Sequence, residues 1–196
     1  MFNMAAGQEE TGNDEKKKSF SGIPEAAFVD DVDAFVVRPE NNSSVNFALA
    51  RLDEQHGKYK FMELHLLAKR GKLKSQLPDM EHSQLMIQLL RKHQDSRNDI
   101  ETQFLLSEQV FMKALVPPTD KVCLWLGANV MLEYTLDDAA ALLSKNIETA
   151  KKNLGYVEHD LDFLRDQLTT TEVNMARVYN WDVKSRQAAK KSGTNQ

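Results

Sequence analysis

Two stretches of the chain repeat their apolar residues at heptad spacing. Val45, Leu52, Tyr59, Leu66, Leu73, Met80 and Ile87 recur without a break, and such a stripe keeps one side of a helix against a partner helix. The companion positions are mixed: Ala48, Met62 and Leu90 are apolar, whereas Gln55, Lys69, Gln76 and Ser83 are not. Pro78 has no N–H to donate and predicts a kink near Lys74 to Leu77. The second stretch is cleaner, with Ala140, Leu143, Ile147, Ala150, Leu154, Val157, Leu161, Leu164, Leu168, Thr171, Met175 and Val178 alternating in steps of four and three. Ser44 predicts the N-cap of the first helix; Thr135, followed by Asp138, predicts that of the second. Helices over 44–98 and 136–188 follow, each about 75–80 Å long at about 1.5 Å per residue.

Between them the period changes. "TQFLLS", "VFMKALV", "KVCLWL" and "NVMLEY" are short apolar, strand-compatible segments, broken by Glu108-Gln109, Pro117-Pro118 and Gly127-Ala128. They predict two consecutive β-hairpins over 100–134. The expected fold is mainly α: two long helices forming an antiparallel coiled coil, joined by two β-hairpins. Counting back from a junction with about 98 opposite 137 places Tyr59 opposite about 176 and Leu52 opposite about 183. The free tip is then 45–62 with 175–190.

Residues 1–20 and 189–196 are small and polar and are expected to be disordered tails. Over 21–40, Pro24 is placed to open a short helix with Phe28, Val32, Phe35 and Val36 on one face, for docking on the main body or binding another protein.

Charge and composition narrow the function. Residues 1–44 carry nine acids against four bases, while the whole chain is only -4. Nothing in this balance suits a phosphate backbone, so no nucleic-acid partner is expected. A single cysteine fits a reducing compartment, cytoplasmic and also nuclear. No apolar run approaches the roughly 20 residues of a membrane helix.

Catalytic chemistry finds no foothold. Cys123 stands between Val122 and Leu124 with no base or orienting group in the pattern, and reads as a buried packing residue. The five histidines lack zinc-site spacing, and the eight glycines form no phosphate loop. Asp137 with Asp138, and Asp160 with Asp162, read as solvated helix faces. No catalytic residue, metal or cofactor is expected.

The hairpins need covering. Val122, Leu124 and Leu126 point one way and Cys123 and Trp125 the other, and four short strands cannot cover both of their own faces. They should assemble with hairpins of other chains.

With this order of elements, "GIPEAAFVDDVDAFV", "LDEQHGKYKFMEL", "PPTDKVCLWLGANVMLEY" and "DLDFLRDQLTTTEVNMARVYNWDVK" closely resemble an α-class prefoldin subunit, from about Gly22 to Lys184. The resemblance implies a heterohexamer with one further α-class and four β-class chains, whose hairpins form a double β-barrel. It implies an ATP-independent holdase that captures unfolded actin and tubulin and delivers them to the cytosolic group II chaperonin, with the von Hippel-Lindau protein as a further partner. The client-contact tip is then Phe47, Leu49, Leu52, Tyr59, Phe61, Val178, Tyr179, Trp181 and Val183. Leu52, Tyr59 and Val178 also lie on the seam, which leaves Trp181, off it, as the stronger candidate. Phe104, Leu106, Phe111, Leu115, Val122, Leu124, Trp125 and Leu126 supply assembly contacts. The competing reading is a coiled-coil adaptor or tether, such as a ubiquitin-ligase partner, which has no need of an oligomerising hairpin pair.

Overall fold

The computed structural model describes residues 18–193, with side chains through 190; of the tails expected at 1–20 and 189–196, residues 1–17 and 194–196 lie outside the described residues. The elements in order are α1 (Val32–Val37), a 3-10 turn (Pro39–Asn41), α2 (Val45–Ser96), β1 (Ile100–Ser107), β2 (Val110–Val116), β3 (Lys121–Gly127), β4 (Val130–Thr135) and α3 (Leu136–Gly193). Helical assignment in α2 is unbroken across Pro78. Helix α3 continues beyond residue 188, where the composition suggested a tail.

The chain divides into two compact units. The hairpin unit holds 62–158, and the terminal unit holds residues up to Phe61 together with those from His159 onward.

In the hairpin unit, α2 and α3 run antiparallel. Lys74 pairs with Glu158 at 3.0 Å, Glu81 with Lys151 at 2.7 Å, and Arg91 with Asp137. These exposed pairs contribute little stability but report the register. Asp137 therefore lies opposite Arg91 rather than a residue near 98, because the last turn of α2 runs on past the start of α3. The core here gathers Ile87, Leu136, Ala139 and Leu143, with Val122, Leu124 and Tyr134 of the second hairpin packed against it. Thr135 caps α3: its hydroxyl accepts from the Asp138 amide at 3.1 Å and donates to the Asp138 carboxylate at 2.8 Å.

Each hairpin is its own two-stranded antiparallel sheet. In the second, Ala128 and Asn129 both take positive φ, 47° and 62°, the signature of a two-residue turn that follows the strand twist. The turn thus sits one residue later than the expected Gly127-Ala128. Gly127, at φ 90°, instead takes the irregular step between Trp125 and Gly127 in the register.

In the terminal unit the helices are again antiparallel. Leu52 and Val178 share one buried cluster, and His56 lies 3.1 Å from Glu172. Leu52 therefore lies opposite the region of Val178, not residue 183. All seven heptad positions of α2 and all twelve of α3 are buried or half-buried, as a seam requires.

Residues 18–31 depart most from expectation. Instead of a helix opened by Pro24 they form an extended strap along α3, and helix begins only at Val32, where the Asp31 carboxylate caps the Ala34 amide at 3.0 Å. The strap stays extended because its backbone groups are taken by side chains of α3 rather than by a helical turn. Asn41, fully buried, donates to the Phe35 carbonyl at 2.6 Å, and Asn42 and Ser43 at positive φ turn the chain into α2.

Candidate functional site

The strap is held by a ladder on α3 at seven-residue spacing: Asp160, Gln167, Asn174 and Trp181. Residues seven apart on a helix share a face, and this face flanks the apolar seam. The Asp160 carboxylate accepts from the Phe20 and Ser21 amides at 2.8 and 3.0 Å and from the Ser19 hydroxyl at 3.0 Å. Burial pushes its pKa up, but the hydrogen bonds from Ser21, Phe20 and Ser19 outweigh this and hold the carboxyl below its ordinary value. Gln167 Oε1 accepts from the Ala26 amide at 2.8 Å. Asn174 makes a two-point contact, accepting from the Val29 amide at 2.9 Å and donating to the Ala27 carbonyl at 2.8 Å. Trp181 Nε1 donates to the Asp33 carboxylate at 2.9 Å. Across the seam, the Tyr59 hydroxyl donates to the Pro24 carbonyl at 2.9 Å.

Beneath the polar ladder, Ala26, Val29, Val32 and Val36 are buried, the three valines in one cluster with Leu52 and Val178. This changes the standing of several expected contact residues. Leu52, Tyr59 and Val178 are 5%, 1% and 0% exposed and close the intramolecular core. Trp181 is half-buried against the same cluster, so the indole that sequence alone favoured as an open contact is committed to the strap. Asp160, read as a solvated carboxylate, is buried.

The others stay partly or largely open to solvent. Phe47, Phe61 and Tyr179 are 48%, 72% and 59% exposed, and Leu49 and Val183 are half-buried. Leu49, Ala50, Asp53, Met175, Ala176 and Tyr179 line a shallow, largely apolar groove between α2 and α3. The structure thus brings Leu49 and Tyr179 together from the two helices.

On the hairpins, Phe104, Leu106, Phe111, Leu115, Trp125 and Leu126 are exposed. Leu105 and Met112 are exposed as well, so both faces of the first hairpin are bare. Val122 and Leu124 differ: they are half-buried against their own chain's core, although Leu132, opposite Leu124 on the same face, is 48% exposed, and the other face of that hairpin is open. Cys123, expected to be buried, lies on this open face. Among the described residues no group of three or more His, Cys, Asp or Glu is placed to hold a metal ion.

The chain is similar in sequence to known proteins over most of its length. The family model described as Prefoldin subunit matches residues 59–181. Prefoldin subunit 3 of Drosophila melanogaster is 62% identical over 178 residues, covering 91% of this chain and 90% of that protein. Prefoldin subunit 3 of Homo sapiens is 57% identical over 180 residues, covering 92% and 90%. A chain of the filamentous prefoldin from Methanocaldococcus jannaschii is similar with a TM-score of 0.45 and 16% identity, covering 60% of this chain and 94% of that one. With helix, hairpin, hairpin and helix in order and this identity across nine-tenths of its length, the chain belongs to the prefoldin subunit family, alongside the subunit 3 proteins.

Proposed function

We propose that this subunit, assembled with one further α-class and four β-class prefoldin chains, is part of an ATP-independent holdase. The assembly captures unfolded actin and tubulin and hands them to the cytosolic group II chaperonin. It works in the cytoplasm and also in the nucleus, with the von Hippel-Lindau protein as a further partner.

The observation that carries this reading is the set of aromatic side chains left open on the terminal unit, Phe47, Phe61 and Tyr179, with the groove between Leu49 and Tyr179. An unfolded chain exposes apolar segments, and each Å² covered is worth about 25 cal/mol. Three half-exposed aromatics make a weak site. Six chains on one body raise the effective concentration of such sites, so capture is firm while each contact remains releasable. The bare hairpin faces supply the body, since the described residues leave Phe104, Leu106, Phe111 and Leu115 more than half exposed.

The test is aggregation of unfolded actin, without nucleotide, in the presence of the co-expressed assembly. Suppression that weakens when Phe47, Phe61 and Tyr179 are together replaced by Ser supports the reading. A chain that forms only a two-chain complex, or an assembly indifferent to the triple change, supports an adaptor instead.

A further inference from the structure

Apart from the Ser19 hydroxyl on Asp160 and the Asp33 carboxylate on Trp181, the strap is seated through its main chain. Gln167 and Asn174 read the Ala26 and Val29 amides and the Ala27 carbonyl, Tyr59 reads the Pro24 carbonyl, and Arg177 donates to the Asp30 carbonyl at 2.7 Å. Every polypeptide carries these groups, so the hydrogen bonds specify an extended backbone and not a sequence. The side chains that fill the seam beneath are small: Ala26, Val29 and Val32 at every third residue, then Val36. Small apolar side chains bury modest area, and replacing one occupant by another costs little. The larger strap aromatic, Phe28, faces outward, half-exposed beneath the Arg177 guanidinium 5.0 Å from its ring.

We infer that the ladder face of α3 is a peptide-binding groove held shut in cis by residues 18–37. Its exchangeable occupant is an extended apolar segment of an unfolded client, carrying small or β-branched side chains at the buried positions. The strap is then an intramolecular competitor. It covers Leu52, Val178 and the Gln167–Asn174 ladder when no client is present and leaves when one binds. This inference rests on client capture by the subunit, and it adds a second, gated surface to the open aromatic one. A groove occupied most of the time by its own chain binds an outside ligand more weakly by the fraction of time it is open.

Hydrogen exchange on the wild-type assembly tests this directly. Addition of guanidine-unfolded actin should release protection at the Ala26 and Val29 amides; protection unchanged while actin is bound overturns the inference and leaves the holdase reading intact. A second arm does not depend on actin. A fluorescein-labelled peptide of residues 18–38 should bind an assembly carrying Val29→Asp and Val32→Asp on the order of tenfold more tightly than wild type, as for a groove otherwise open about a tenth of the time. Adding Asn174→Ala to that assembly should abolish the gain. Equal binding of the peptide to wild type and strap variant, or no binding to either, overturns the groove even if the assembly holds no actin at all.

Discussion

The Tyr59 phenol, 1% exposed, donates to the Pro24 carbonyl at 2.9 Å, tying the strap to α2 at a heptad position of the seam. One residue thus completes the coiled coil and fastens a segment that lies outside it. Tyr59→Phe keeps the ring and removes the hydroxyl, which donates to the Pro24 carbonyl and accepts from Gln55 Nε2 at 3.0 Å. A loss of about 1–2 kcal/mol is expected from two neutral hydrogen bonds. Denaturant unfolding measures it, and the strap should become more sensitive to limited proteolysis.

The Asn174 contact should matter more, because its carboxamide serves both a buried amide and a carbonyl. Asn174→Ala leaves the Val29 amide without its acceptor, and a buried unsatisfied group costs about 1–3 kcal/mol. Exchange at the Val29 amide should rise in this variant before global unfolding does. Asn174→Asp restores the acceptor but not the donor to Ala27, and should recover part of the loss.

How much of this was legible in advance follows from which interactions leave a period in the sequence. Seam residues such as Leu52, Leu164 and Val178 bury apolar side chains at fixed spacing, so both helices stand out. The hairpins stand out for the same reason, by strand-compatible runs between turn residues. The ladder also has a period: Asp160, Gln167, Asn174 and Trp181 recur every seven residues beside the seam. It gives no signal because polar residues on a helix ordinarily face solvent, and only the backbone groups opposite reveal that these do not. The strap is extended although Phe28, Val32, Phe35 and Val36 fit a helical face, because the competition of Gln167 and Asn174 for its amides is invisible in its own sequence. Val122 and Leu124 share one face of their strand, but which face meets the chain's own helices depends on tertiary packing.

The Asp160 anchor should respond to acid. Its carboxyl is held below the ordinary value in the folded chain, so its contribution is complete above the usual Asp range near about 4 and is lost as pH falls through the depressed folded value. His159, whose Nδ1 is 3.6 Å from the carboxylate and whose ring meets Phe20 at 4.8 Å, is the titratable neighbour on the same helix. Protection of the Phe20 and Ser21 amides, corrected for the intrinsic exchange rate at each pH, should fall in that acid window. Asp160→Asn should show the faster exchange already at neutral pH and a flatter response.

Core and surface positions should separate stability from capture. Leu164 is fully buried, and Leu164→Ala should cost about 2–5 kcal/mol through lost burial and the cavity left behind. Phe61, at 72% exposure, should shift stability by less than about 0.5 kcal/mol when changed to Ser. Thermal unfolding of the two variants distinguishes them, and only Phe61→Ser should weaken client capture at unchanged stability.

Assembly should fail from the hairpins alone. Phe111 and Leu115 are 62% and 67% exposed on β2, and aspartate at both would place charge on the surface proposed for partner hairpins. Size-exclusion chromatography after co-expression should show loss of the hexamer, while the helical circular dichroism of the chain persists.

The proposed function requires the terminal unit to touch the unfolded chain. Photo-crosslinking probes this contact: a benzophenone amino acid is placed at Phe47, Phe61 or Tyr179, one at a time, in the full assembly with unfolded actin bound. Actin adducts are expected from all three positions and none from the same probe at exposed Leu85 of the hairpin unit. Adducts from Leu85 alone, or equal adducts from every position, would contradict it.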